Sequence, residues 1–199
     1  YIEFLSPGVI IMTAMFSGAW SGMGLIDDLH HNVIDRMLAT PLHRGAIITA
    51  RIMHSSATVV VQSVIILVLS FILGAGWPSF AGTVGVLLAA ALITAGFTAM
   101  STGIALLARR EETMIAVINF FGLPLAFLSA TFMSSQLMPE WMQTVAKANP
   151  VNWAVSAARH AVLETNASAV WVNSGLLFVF TLVMVFLATG AFRVYRRTT

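Results

Sequence analysis

The chain has 199 residues, of which 58% are hydrophobic and only 9% charged, against about 25% charged in an ordinary soluble domain. So little charge does not cover a globular surface in water, and a mean hydropathy of +0.89 makes lipid the expected solvent for most of it. Ten Lys and Arg stand against eight Asp and Glu, in short clusters between apolar runs, which excludes a nucleic-acid footprint; the absence of Cys excludes disulfides, thiolate metal sites and Cys nucleophiles.

A bilayer core about 30 Å thick takes roughly 20 apolar helical residues to cross, and five stretches qualify. The first runs from about Gly8 to Ile26, with no charge between Glu3 and Asp27. Within it Gly18 and Gly22, extended by Ala14, form a small-xxx-small pair that lets helices approach closely, either between subunits or within one. Asp27 or Asp28 then suits the start of a new helix. Leu29, Val33 and Met37 recur every four residues, Ile34 and Leu38 widen the stripe, and Pro41 ends it. The spacing predicts a short amphipathic helix from about Asp28 to Ala39, too polar to insert. It is either a lever that docks on a separate motor or a helix resting passively on lipid headgroups.

The uncharged run from Ile52 to Ala108 is too long for one helix and holds the second and third spans, divided by the turn chemistry of Gly74–Ser79. Arg51, Ser55, Thr58 and Gln62 are expected to share a face of the second span. Thr94, Thr98, Ser101 and Thr102 fall in the third. The fourth covers about Thr113 to Met133 and contains Asn119; Pro124 removes a backbone bond there, giving either a hinge or a static bend. Gln62, Thr98, Ser101 and Asn119 either line a transport path or serve as interhelical hydrogen-bonding partners, worth about 0.6 kcal/mol each.

From Ser134 to Ala169 the pattern changes. Pro139 suits the first turn of a short helix that stops before Asn149-Pro150, and Pro150 opens a second, with Val151, Val155, Ala158 and Val162 on one face. Both are too short to cross. With Trp141 and Trp153 they fit amphipathic helices at, or dipping into, the outer interface, although a folded external loop without function has the same composition. The fifth span covers about Val170 to Phe192. Runs such as Val64–Leu69 do not alternate, so a β-barrel is excluded.

Arg36, Arg44, Arg51, Arg109, Arg110, Arg193, Arg196 and Arg197 lie on one side of these spans, and Lys147 and Arg159 on the other. This excess places the first and third loops and the C-terminus in the cytoplasm. Five spans then leave Tyr1 outside, so a sixth helix is expected upstream; a five-helix protein with an external N-terminus is the alternative. The expected fold is an all-α polytopic bundle with a short cytoplasmic helix and two short outer helices before the last span.

A P-loop lysine is preceded by Gly and followed by Ser or Thr. The one lysine here is Lys147, between Ala146 and Ala148, so the chain does not bind ATP by that route. Adjacent His30 and His31 point in different directions on a helix, and His54 and His160 fall on opposite sides, so no metal site is expected. No charged residue occupies the middle of a span, where proton-driven transporters bury one.

Val33-Ile34-Asp35-Arg36-Met37-Leu38-Ala39-Thr40-Pro41-Leu42-His43-Arg44 resembles the loop after the second membrane helix of ABC-2 type permeases. Phe121-Gly122-Leu123-Pro124, Ser129–Met133 and Leu137–Met142 resemble the family's fifth helix and outer loop. Asn149-Pro150-Val151-Asn152-Trp153 with Arg159 is similar to the element before its last helix. The likeness runs through nearly the whole chain, and Tyr1–Gly8 with Trp20-Ser21-Gly22 is nearest the daunorubicin-resistance type. At His30-His31-Asn32 the chain departs from the family's charged residues and Gly.

The resemblance implies six helices per subunit and two subunits per transporter, identical or not. It also implies a separate cytoplasmic ATPase pair that holds ATP and Mg, with no cofactor in this chain. Asp28, Leu29, Val33, Asp35, Arg36, Met37 and Leu38 then form the coupling helix. The expected function is a permease of a bacterial cell-membrane exporter for hydrophobic or amphipathic, drug- or lipid-like molecules. The competing functions are a motor-independent secondary transporter or channel, which works as the chain alone, and a membrane assembly subunit without ligand-dependent ATP turnover.

Overall fold

The computed structural model describes residues 2–31, 44–129, 131 and 138–195. Their secondary structure is helical: α1 Ile2–His30, α2 Arg44–Ile72, α3 Phe80–Ala108, α4 Glu111–Val117, a π turn Ile118–Gly122, α5 Leu123–Phe127, α6 Glu140–Lys147, α7 Pro150–Val162 and α8 Ala167–Tyr195. Four helices among the described residues, α1, α2, α3 and α8, are long and apolar enough to cross a membrane.

The expected fourth span differs from these. Glu111 to Phe127 is a consecutive helical path, but at 1.5 Å per residue it is about 25 Å long, short of a bilayer core. Pro124 has no N–H to give the carbonyl four residues back, and the wide π turn ends beside it at Gly122. Of the remainder of that span, to Met133, Leu128, Ser129 and Thr131 are among the described residues and none of them is helical.

The long helices pack around α3, which contacts α1, α2, α7 and α8. Lipid supplies no hydrophobic force between helices, so close approach of small residues and shared hydrogen bonds hold them together. On α3 the Thr94 hydroxyl lies 3.0 Å from the Ala14 carbonyl of α1, and on α8 Thr181 donates to Leu92 of α3 at 3.0 Å. Ala14 faces Thr94 and Ala19 faces Ser101; Gly85 faces Val170 and Gly103 faces Ala188. Matching order along both seams makes α1, α3 and α8 parallel, whereas Arg51 against Asp28 and Ser55 against Ser21 make α2 antiparallel to α1.

The connection from α2 to α3 turns at Gly74, whose φ of 94° is the left-handed region that a residue without Cβ adopts freely. Ser79 then caps α3, its side chain accepting from the Gly82 N–H at 3.1 Å. At the other end of α3, Arg109 takes a left-handed conformation with φ 53° and its N–H bonds the Ala105 carbonyl, so α4 starts within two residues.

α7 begins as its sequence predicts. Asn149 accepts from the Val151 N–H at 2.9 Å, Pro150 occupies the first turn, and the Asn149 amide donates to the Leu125 carbonyl at 2.7 Å. Val151, Ala154, Val155, Ala157 and Ala158 are buried against α1, α3 and α8, while Val162 is half-buried at the end of the face.

Candidate functional site

The helix ends divide into two sets. Asp27 and Asp28, Arg51, and Arg109–Glu112 gather at one end of the bundle; Glu3, the 73–79 connection, α7 and Glu164 gather at the other. The segment expected to couple to a motor leaves the first of these ends. Asp28 and Leu29 lie there; Val33, Asp35, Arg36, Met37 and Leu38 lie outside the described residues.

Asp27 and Asp28 do not start a new helix, as their cap chemistry suggested. Both belong to the last turn of α1, where the carbonyl end of the dipole disfavours a carboxylate. Arg51 supplies the compensation. Its guanidinium pairs with the Asp28 carboxylate and reaches the Ser21 and Gly24 carbonyls, each at 3.4 Å, with 18% of its side chain exposed. Five donors in a planar fork let one side chain hold several points on a neighbouring helix. Ser55, one turn further along α2, donates to the Ser21 hydroxyl at 3.2 Å.

Gly18 and Gly22 sit buried in the α1–α3 seam. A Cβ at Gly18 would stand 2.7 Å from the Thr94 carbonyl oxygen, and one at Gly22 2.7 Å from that of Ser101. That closeness permits the polar contacts beside them: the Gly22 N–H donates to the Ser101 hydroxyl at 2.9 Å, and Ser101 donates to the Ala19 carbonyl at 2.5 Å.

Gln62, Thr98, Ser101 and Asn119 do not converge. Thr98 and Ser101 are buried, Gln62 lies on the exposed face of α2, and Asn119 is exposed on the π turn, donating to the Ile115 carbonyl at 2.9 Å. Arg51, Ser55, Thr58 and Gln62 share a face of the unbroken α2, as expected, but differ in burial. Arg51 and Ser55 turn towards α1, but the buried stripe continues through Val59, Ser63, Leu67 and Ser70, which leaves Thr58 and Gln62 outside. Of Gln62, Thr98, Ser101 and Asn119, Ser101 forms a contact between α1 and α3. The hydroxyls of Thr98 and Thr102 are buried without a hydrogen-bonding partner among the described residues.

At the opposite end two carboxylates hold the uncharged 73–79 connection, a role that local sequence did not signal. The Gly76 N–H donates to Glu3 at 2.9 Å and the Ser79 N–H to Glu164 at 3.1 Å. The bonds from Ser79 hold the Glu164 carboxyl below its ordinary pKa. Glu164 itself has a φ of 51°. Nearby, the Arg159 guanidinium lies 3.7 Å above the Phe4 ring, and burial lowers the pKa of Arg159.

The sequence profile described as "ABC-2 type transporter" matches residues 1–163. A putative transport permease, ycf38, from Cyanophora paradoxa is 29% identical over 179 residues, which is 89% of this chain and 60% of that protein. The same-named permease from Porphyra purpurea is 28% identical over 167 residues, covering 83% and 57% of the two chains. The daunorubicin resistance ABC transporter permease protein DrrB1 from Streptomyces coeruleorubidus is 28% identical over 190 residues, covering 90% and 66%. The chain thus spans less than two thirds of the length of these relatives.

Proposed function

The chain belongs to the ABC-2 type transporter family, and from that premise we propose that it is the membrane-spanning permease subunit of an ATP-driven exporter. A cytoplasmic ATPase pair binds ATP and Mg, and a second permease subunit completes the transporter. The family match over residues 1–163 carries this reading, because it takes in both the amphipathic segment after α1 and the Asn149–Arg159 element. The lack of a P-loop lysine in the chain supports a separate motor.

The segment that follows α1, to about Ala39, is the coupling element. Val33, Met37 and Leu38 provide its docking stripe and Asp35 and Arg36 its polar contacts, while Asp28, paired with Arg51, and Leu29, packed on the core, anchor it at the last turn of α1. The protein sits in the bacterial cell membrane with this segment and its C-terminus in the cytoplasm, as the excess of Arg on that side favours. Its cargo is hydrophobic or amphipathic, drug- or lipid-like, because the buried polar groups of α3 are neutral hydroxyls. Any path lies along helix faces rather than through Gln62, Thr98, Ser101 and Asn119 together.

The test is to purify the full-length protein with its neighbours intact and reconstitute it in vesicles. An ATPase should co-purify, and ATP turnover should rise with a lipophilic substrate. Transport by the permease alone under an ion gradient, with no ATPase bound, refutes the proposal.

A further inference from the structure

A groove of about 470 Å³ opens at the Glu3 end of the bundle, between the first turns of α3 and α8 and against the last turn of α7. That volume is in the range of ligand sites, about 300–1,000 Å³. Its walls are Phe80, Val84 and Leu88 on α3 and Val170 and Trp171 on α8. Phe80 and Trp171 are 86% and 72% exposed, so the groove opens sideways, along the apolar flank of the bundle.

Its mouth has a different chemistry. Glu164 lines the groove there, held by the Ser79 N–H, and His160 beside it is hydrogen-bonded to Thr165 at 2.7 Å. The carboxylate stays charged across the neutral range, because the bonds from Ser79 favour its ionised form. An apolar slot of this volume with one anionic group at its rim complements a chain molecule whose head carries a positive charge. An indole at the same rim suits the depth where acyl chains meet headgroups.

We propose that this groove is a resident-lipid site, which holds one acyl chain of a membrane phospholipid with a primary ammonium headgroup and pairs that ammonium with Glu164. A primary ammonium donates charge-assisted hydrogen bonds to a carboxylate; an anionic headgroup is repelled. The site stands on the groove and Glu164 alone and is independent of any motor or cargo.

The experiment uses the full-length protein in vesicles containing a phospholipid with a diazirine in its acyl chain, as either phosphatidylethanolamine or phosphatidylglycerol, with cross-links mapped by mass spectrometry. Labelling at Phe80–Leu88 and Val170–Trp171 should favour phosphatidylethanolamine by about three- to fivefold, the size of an exposed ion pair. Labelling of the exposed α2 face at Ile65 and Leu69 should show no preference and serves as the internal reference. Glu164→Gln, whose amide oxygen still accepts from Ser79, should bring the groove ratio to about one, and Glu164→Lys should invert it. Ala167→Phe should abolish groove labelling and leave α2 labelling intact. A wild-type ratio near that of α2, or a ratio that survives Glu164→Gln, overturns the proposal. So does loss of groove labelling when ATP is added to the assembled transporter, since the bound molecule would then be cargo.

Discussion

Arg51 on α2 neutralises Asp28 at the carbonyl end of α1, and the same guanidinium spans the Ser21 and Gly24 carbonyls. Arg51→Gln strands a half-buried carboxylate against an unfavourable dipole. It should cost about 1–2 kcal/mol, between the values for exposed and buried pairs. Thermal unfolding in detergent checks this, and a double-mutant cycle with Asp28→Asn isolates the pair. A coupling energy near zero would show that Arg51 acts through the carbonyls alone.

Gly22→Ala places a methyl group against the Ser101 carbonyl oxygen, which cannot retreat without opening the α1–α3 seam. The expected loss is about 1–3 kcal/mol. Gly24→Ala meets only the flexible end of Arg51, at 3.6 Å, and should be neutral or slightly stabilising. Equal unfolding temperatures for the two variants would contradict the seam.

Ser101→Ala removes the hydroxyl that joins Gly22 and Ala19 and should destabilise by about 1 kcal/mol. Thr98→Val removes a buried hydroxyl that has no partner among the described residues, so stability should hold or improve. If Thr98→Val instead abolishes transport while stability holds, Thr98 contacts cargo.

Glu164 supplies a pH dependence of known sign. Its folded pKa is depressed by the Ser79 bonds, so its contribution is present above the ordinary carboxylate pKa and is lost as pH falls through the lower, folded value. The unfolding temperature of wild type minus that of Glu164→Gln should shrink as pH drops from 7 into the acid range. A pH-independent difference would remove the ionised carboxylate from the account.

Asp35→Ala and Leu38→Ala test the proposed lever. In the assembled transporter each should lower transport by about tenfold or more, a coupling loss of ordinary allosteric size, while basal ATP hydrolysis and the unfolding temperature hold. Normal transport in both variants would exclude that role.

Hydropathy made α1, α2, α3 and α8 legible, because a bilayer demands long uncharged helices and little else meets that demand. Asn149-Pro150 fixed the start of α7 for local reasons as well: one side chain and one ring do all the capping. The pairings that finish each end were not legible. Glu3 meets Gly76, Ser79 meets Glu164 and Arg51 meets Asp28 across long sequence separations, so no local pattern announces them. Asp27 and Asp28 misled because they have cap chemistry, yet α1 runs past them, with Arg51 as counter-ion to Asp28. The exposure of Gln62 was not legible either, because it depends on how α2 crosses its neighbours: the buried stripe passes through Ser55, Val59, Ser63 and Leu67 and leaves it outside.

The position of α3 decides which motions are cheap. A helix gripped by α1, α2, α7 and α8 together behaves as an axle, since displacing it would tear four seams in one step. Rearrangement at lower cost belongs to the segment beyond the left-handed corner at Arg109, which touches the bundle sparsely and whose π turn already departs from regular pitch.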